Sequence, residues 1–418
     1  MKRLIRNLAE IATPVGTGPV RGDSIRKLRV IRDGAILIDG ERIDWIGPES
    51  DLPRDRLADL DDELDARRGT ALPGFVDAHT HLPFAGTRET EFNRRLHGES
   101  YEEIAASGGG IASTVRETRA TSESILKEMV LTRTARMAEW GTTTAEAKSG
   151  YGLNLDDEMK QLRAIERASE ISPVRLVATC LAAHEFPPGI DRNDPEQREA
   201  WLELITESIL PAAANEKLAT FCDVFVERGV FTREEGERVL RAGTALGFLP
   251  RIHADELSDQ DSAALAVEVD AVSADHLMYI SDRGIEALAG SNTVANMLPA
   301  TSYFLMSDRY APARELIDRG AIVALSTDCN PGSSMTESMQ VVIQLASLRM
   351  KLTVEEALTA ATLNSAYSLR MSEEIGSLET GKRADIVILG APSYLHLVYH
   401  FGVNLITHVF RDGVARTS

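Results

Sequence analysis

The chain has 418 residues and sets 45 lysines and arginines against 64 aspartates and glutamates, a formal net charge of −19. Its 43% hydrophobic and 26% charged content is that of a folded protein whose core is large enough to stand without disulfide staples. So acidic a chain is repelled by nucleic acid and by anionic membrane surfaces, so neither is expected as a partner, and an anionic substrate has to be attracted by local cations.

The three cysteines, Cys180, Cys222 and Cys329, lie far apart with no C-x-x-C, which indicates neither a disulfide framework nor a cysteine zinc module. Met1 to Ile5 has a basic touch but no apolar run of signal length follows, and no stretch approaches the ~20 apolar residues of a membrane span. The expectation is a soluble cytoplasmic protein.

Residues 1–70 read as β structure. Ala35 to Ile38 is apolar, Asp39-Gly40 is a two-residue hairpin signal, and Arg42 to Ile46 returns. Residues 51–68 are acidic and poor in apolar side chains, which reads as a linker or exposed segment. Short apolar, β-branched-rich runs then recur at 72–77, 142–146, 174–180, 220–226, 248–253, 271–276, 293–298 and 322–326. Helix-favouring stretches such as 156–170, 233–245 and 311–319 lie between them. Eight such units match a (β/α)8 barrel in number and size. A doubly wound open sheet is the alternative, because periodicity does not separate a closed sheet from an open one, but no dinucleotide fingerprint favours it. Residues 384–389 and 406–410 are again strands, the second running into an Asp412-Gly413 turn. Two β-rich ends around one middle predict a small sheet domain assembled from both termini.

The nine histidines are unevenly spread over this map. His79 and His81 follow the first strand, and on an extended backbone residues i and i+2 point the same way, so both imidazoles can converge on one metal. His253 closes the fifth strand, His276 closes the sixth and Asp328 follows the eighth. Each sits at the C-terminal end of a barrel strand, where catalytic groups of such barrels gather. An isolated H-x-H is mostly accidental; its company at the other strand ends reverses that reading. Glu256 lies three residues beyond His253, in the loop over the barrel mouth, where a carboxylate can reach both a water and a leaving nitrogen. Its plain alternative is a solvated loop acid. His276 is a candidate donor to a developing oxyanion or a proton shuttle, against a satisfied core histidine. Arg88 can present a bidentate fork to a carboxylate, against an ordinary surface charge. Asn330 to Ser334 is a turn before a predicted helix, whose backbone N–H groups can face an anion, although turn chemistry alone also explains Pro331 and Gly332. His97, His396, His400 and His408 show no partner pattern.

The stretch Leu72-Pro73-Gly74-Phe75-Val76-Asp77-Ala78-His79-Thr80-His81 resembles the metal-binding opening of the amidohydrolase superfamily. Gly376 to Val387 resembles that superfamily's return to its small β domain. Within it, the chain resembles the imidazolonepropionase family. The residues that carry this are Pro83-Phe84-Ala85-Gly86 with Arg88, Ser100-Tyr101-Glu102-Glu103-Ile104, Lys148-Ser149-Gly150-Tyr151, Ala183-His184-Glu185, His253-Ala254-Asp255-Glu256, Ser273-Ala274-Asp275-His276 and Thr327 to Gly332. Ala78, where many relatives carry cysteine, departs from the pattern at a position that is not a ligand.

The resemblance implies an α/β fold: a TIM-like (β/α)8 barrel over residues 71–374 with a small β-sandwich domain formed by both termini, 1–70 and 375–418. It implies one divalent metal per subunit, zinc or iron, held by His79, His81, His253 and Asp328, a donor set that suits either ion. Binuclear relatives bridge two ions near the fourth strand. Lys148 stands after the second strand and reads as a structural or substrate-side charge, whereas Glu227 follows the fourth and leaves a second ion open. Substrate contacts are implied at Arg88, Tyr101, Tyr151, His184, Glu256, Asn330, Gly332 and Ser333, and a homodimer is expected.

The expected activity is metal-dependent hydrolysis of a small anionic substrate, 4-imidazolone-5-propanoate, to N-formimidoyl-L-glutamate in histidine degradation. Glu256, His276 and Asp328 are the expected catalytic groups. One alternative is a mononuclear aminohydrolase of a nucleobase-like ring, which shares the barrel, the metal and the His-x-x-Glu pair. Arg88, Tyr151 and the 330–333 turn weigh against it, because they suit a carboxylate that a nucleobase lacks. The other is a non-catalytic barrel scaffold, against which the intact ligand set argues.

Overall fold

The computed structural model describes residues 1–99, 103 and 109–416. Eight parallel strands follow one another around a barrel: Phe75–Asp77, Thr142–Lys148, Arg175–Ala183, Phe221–Val226, Leu249–Ala254, Ser273–His276, Val294–Met297 and Ile322–Leu325. Each pairs with the next in chain order. Helices including Leu155–Ser169 and Arg233–Ala245 pack against the strands from outside. Between the eighth strand and the first, the ladder is reduced to a bridge at Thr80 and Cys329, with His81 N donating to Cys329 O (3.0 Å) and Asp328 N to His79 O (3.0 Å). Asp77 clamps the same seam by accepting from Thr327 N (2.9 Å) and Thr327 Oγ1 (2.6 Å). The sheet is thus all but closed.

The chain ends build a second sheet of eight strands. Lys2–Thr13 runs antiparallel to Arg29–Asp39 and parallel to Asp62–Asp65 and Thr70–Pro73. Arg42–Pro48 extends one side, and Ile386–Leu389, Ile406–Arg411 and Val414–Ala415 extend the other. The sheet curls on itself, since Ile43 N donates to Lys382 O (2.9 Å) and Gly381 N to Ile43 O (2.8 Å). It encloses its own apolar core, which includes Ile5, Leu8, Ile11, Ile36, Ile386 and Phe410.

Two expectations change. The run 72–77, expected as one strand, is divided: Leu72 and Pro73 pair within the terminal sheet, and Phe75 begins the barrel. Pro73-Gly74 marks a break, but the residues on either side carry no mark of which sheet each joins. Residues 51–68, expected as a linker, contain the strand Asp62–Asp65, whose mostly exposed side chains leave no apolar pattern to read. Among the described residues no helix is long and apolar enough to cross a membrane. All three cysteines are buried and unpaired with one another.

Gly74 is the crossing point between the two sheets. Its N–H donates to Asp385 O (2.9 Å), and a Cβ there would collide with the side chain of Thr143. Gly74→Ala should therefore destabilise the protein by about 1–3 kcal/mol, as overpacking does. The check is a lowered Tm, part of which Thr143→Ala in the same chain should restore; a Tm equal to wild type in the single variant would contradict the packing described.

Candidate active site

The ends of the first, fifth and eighth strands bring the four expected metal donors together. His79 Nε2 and His81 Nε2 lie 3.5 Å and 3.4 Å from Asp328 Oδ1, and His253 Nε2 lies 3.4 Å from His81 Nε2. All four side chains are buried. His276 is close by, its donor atom within 4.8 Å of those of His79 and His253. The chain turns sharply at these strand ends, with His276 at φ +82° and Asp328 at φ +55°. Such left-handed conformations cost a residue with a Cβ about 1–3 kcal/mol and persist only where the surroundings impose them.

Neighbouring groups fix the tautomers. His79 Nδ1 donates to Asp275 Oδ2 (2.7 Å) and His253 Nδ1 to Asp223 Oδ1 (3.1 Å), so each ring turns a lone pair at Nε2 toward the centre. His79 Nε2, though buried, has no hydrogen-bond partner. Lone pairs facing one another and a carboxylate at this range repel unless a cation lies among them. Two donors about 2.1 Å from one ion stand about 3.4 Å apart at the tetrahedral angle, so the observed separations fit a small divalent ion. Burial, reinforced by Lys148 and the neighbouring rings, holds His79 and His81 well below the usual imidazole range. They are neutral, as ligation requires.

Beneath the histidines lies a network of buried charge. Lys148, the last residue of the second strand, donates to Glu146 Oε1 (2.7 Å) and Asp223 Oδ2 (2.8 Å) and stands 4.0 Å from Asp275 Oδ2. Arg251 Nε lies 3.3 Å from Glu146 Oε1, and its Nη2 lies 3.5 Å from Asp275 Oδ2. Lys148 is therefore a structural charge. Glu227 is also engaged: Oε2 accepts from Leu257 N (2.8 Å) and Ser258 N (3.1 Å), and Oε1 from Arg228 N (2.7 Å) and Ser258 Oγ. It anchors the loop that carries Glu256.

Above the donors is a cavity of about 420 Å³. His81, His253, His276 and Asp328 reach it from below, and Arg88, Tyr151, His184, Glu256, Asn330, Gly332 and Ser333 line it. Tyr101 lies outside the described residues. A wider surface hollow of about 640 Å³, between Arg314 and Arg349, contains no histidine. Glu256 Oε2 is 3.6 Å from His276 Nε2. Burial, then the nearby Asp328 and Glu227 carboxylates, push the Glu256 carboxyl well above its ordinary range, while burial presses His276 down to about 3. A carboxyl able to hold a proton thus faces an uncharged imidazole. His184 stacks on His81, with centroids 5.0 Å apart, and donates Nδ1–H to Gly150 O (3.0 Å), leaving Nε2 as an acceptor.

On the opposite wall, Arg88 Nε donates to Glu91 Oε2 (2.8 Å), and Arg88 Nη1 packs so closely on Gly332 that a Cβ there would collide with it. One expectation changes here. Gly332 N and Ser333 N, expected to face an anion, both donate to Asn330 Oδ1 (2.8 Å each), because the Asn330 side chain folds back over its own turn. Anion recognition on this wall falls to side chains.

Asp223, Asp275 and Thr301, whose Oγ1 donates to Asp328 Oδ2 (2.7 Å), escape a reading of the sequence that looks only at strand ends. The available signal is an acid inside an apolar strand, as in Phe221-Cys222-Asp223-Val224, since such an acid must be paired when buried. Replacing Asp275 by Asn supplies an amide that can donate and removes the preference for the Nε2 lone pair. Asp275→Asn should weaken retention of a bound divalent metal about 10- to 100-fold. The check is metal content after dialysis against graded chelator; retention equal to wild type would contradict the orienting role.

The Amidohydrolase family pattern matches residues 249–416. The imidazolonepropionases of Symbiobacterium thermophilum and Brevibacillus brevis are 47% and 44% identical over 412 and 414 residues, each alignment covering 98% of this chain and 96% of the relative. A solved triazine hydrolase variant shares the fold, with a TM-score of 0.75 at 17% identity, covering 99% of this chain and 94% of that one.

Proposed function

The chain belongs to the imidazolonepropionase family of amidohydrolases, and on that premise we propose that it hydrolyses the ring of 4-imidazolone-5-propanoate to N-formimidoyl-L-glutamate. The observation that supports this best is a single cavity lined by the Glu256–His276 pair and Arg88, which the His79–His81–His253–Asp328 cluster reaches through His81, His253 and Asp328. The four clustered side chains would hold one ion per subunit, zinc or iron. When bound, such an ion polarises a carbonyl and lowers the pKa of water to about 7.

The rest of the chemistry belongs to the chain. Glu256 Oε2 accepts a proton from the attacking water, whose oxygen bonds to the ring carbonyl carbon. His276, uncharged, donates a hydrogen bond to the carbonyl oxygen as it gains negative charge. The ring carbon–nitrogen bond then breaks, and Glu256 returns its proton to the departing nitrogen. Asp328, steadied by Thr301, is a metal ligand and a second carboxylate on the proton path. Arg88 holds the propanoate, Tyr151 keeps its phenol proton because burial raises its pKa, and His184 offers an acceptor to the ring. A nucleobase has no carboxylate for Arg88, which ranks the deaminase reading second. The family resemblance adds a cytoplasmic location and a homodimer.

Wild-type protein should consume freshly made 4-imidazolone-5-propanoate, followed by absorbance, and yield formimidoylglutamate by mass, with the activity abolished by chelator. Glu256→Gln should keep its metal while kcat falls about 10²- to 10⁴-fold. No consumption by metal-loaded protein, with ammonia released from a free base instead, would replace this reading by the deaminase one. Arg88→Ala should raise KM sharply at unchanged metal content, and an unaltered KM would remove the role given to Arg88.

A further inference from the structure

Residues 149–153 leave the second strand and bring Tyr151 to the cavity, and two side chains of the helix Leu155–Ser169 hold them from behind. Glu158 accepts from Gly150 N (3.0 Å), Gly152 N (2.7 Å) and Leu153 N (2.8 Å). Gln161 Oε1 accepts from Tyr151 N (3.1 Å) and Gly150 N (3.3 Å). Its Nε2 donates to Pro83 O (2.8 Å), on the segment that follows His81. Gln161 is fully buried and does not line the cavity. Its place demands an acceptor and a donor on one side chain, which a hydrocarbon lacks and an ionised carboxylate only half supplies.

One peptide group links this anchor to the site. The unit between Gly150 and Tyr151 gives its N–H to Gln161, and its carbonyl oxygen accepts from His184 Nδ1 (3.0 Å). Gly150 stands at φ +116°, where glycine has wide freedom, so its own backbone preference does not keep the unit from turning over. A Cβ at this position would press on Leu181 O at 2.9 Å and on His184 Nδ1 at 3.0 Å, so no stiffer residue can take its place. If the unit flipped, its carbonyl would meet Gln161 Oε1, acceptor against acceptor, and its N–H would turn toward His184. That N–H would favour the other tautomer, with Nδ1 bare and the proton on Nε2, where the ring now presents an acceptor. Resting on the substrate reading above, we propose that Gln161 is a positioning residue that fixes the Gly150–Tyr151 peptide and, through it, the tautomer of His184, so that this wall offers the substrate ring an acceptor and not a donor.

Nitrogen NMR of zinc-loaded protein with isotope-labelled histidines reads the tautomer directly, and the signal of His184 is the one lost in His184→Ala. Wild type should show a protonated Nδ1 and a bare Nε2. Gln161→Met keeps the length of the side chain without its polar groups. It should move the proton to Nε2 in a large share of molecules and lower kcat/KM for 4-imidazolone-5-propanoate about 10- to 100-fold at unchanged metal content. Gln161→Glu, held neutral by burial beside Glu158, can repeat all three bonds and should restore the wild-type spectrum. Made in His184→Ala, Gln161→Met should cost less than about threefold more, since the two changes break the same link. Should Gln161→Met not fold, Gln161→Asn, whose amide is one methylene short of spanning Pro83 and Tyr151, carries the same readouts. An unchanged His184 spectrum, or a loss of full size in the His184→Ala background, would leave Gln161 a packing residue and overturn the proposal. Wild type that does not consume 4-imidazolone-5-propanoate would overturn the substrate reading alone, and the spectra would then decide the role of Gln161 by themselves.

Discussion

The hydrogen bonds from Asp328 N to His79 O and from His81 N to Cys329 O close the barrel, and the residues that make them also bear three of the four proposed metal ligands. Bringing the first and eighth strands together therefore assembles most of the donor set in the same step. Asp77 reinforces the seam through Thr327, one residue before Asp328, and burial raises its own pKa to about 7. His253 is added by the fifth strand across the barrel mouth. A site built on strand ends in this way is more exact than one built on loops, which is why the donor separations already match those a small ion demands.

Under that ring of donors the barrel interior is ionic. Glu146, Asp223 and Asp275 face Lys148 and Arg251, and every member is buried. Removing one partner from such a network strands a charge at about 3–5 kcal/mol, so the arrangement is stiff. Its function-bearing members are Asp223 and Asp275, which hold His253 and His79 by their Nδ1 hydrogens. In their ionised forms these three acids and Asp328 outnumber the two cations by two charges, the deficit that a divalent ion makes good. The network thus orients the proposed ligands and would balance a divalent guest.

Much of this was legible in the residues. Strands of an all-parallel barrel are buried on both faces and read as short runs rich in apolar and β-branched residues, so their positions along the chain stand out even where charged residues are set into them, as in Thr142–Lys148. His79, His81, His253, His276 and Asp328 stand at their ends, and Glu256 follows at loop distance. What the runs do not name is the sheet each joins: Pro73-Gly74 signals a break in 72–77, but not that the chain leaves one sheet at Pro73 and enters another at Phe75. Nor does an exposed, acidic strand such as Asp62–Asp65 announce itself, because its pairing rests on backbone groups alone. The turn at 330–333 shows a further limit. Its composition fits an anion-facing loop, and only the side-chain direction of Asn330 reveals that its N–H groups are taken.

Three histidines and one aspartate, brought together by the first, fifth and eighth strands, are proposed to hold one ion. X-ray absorption at the metal edge of the purified protein tests this most directly. The expected shell has imidazole scattering from three histidines, one carboxylate oxygen and no sulfur, at about 2.0–2.2 Å if the ion is zinc. A sulfur at about 2.3 Å, which would bring Cys329 into the site, or a shell with fewer than three imidazoles, would contradict it.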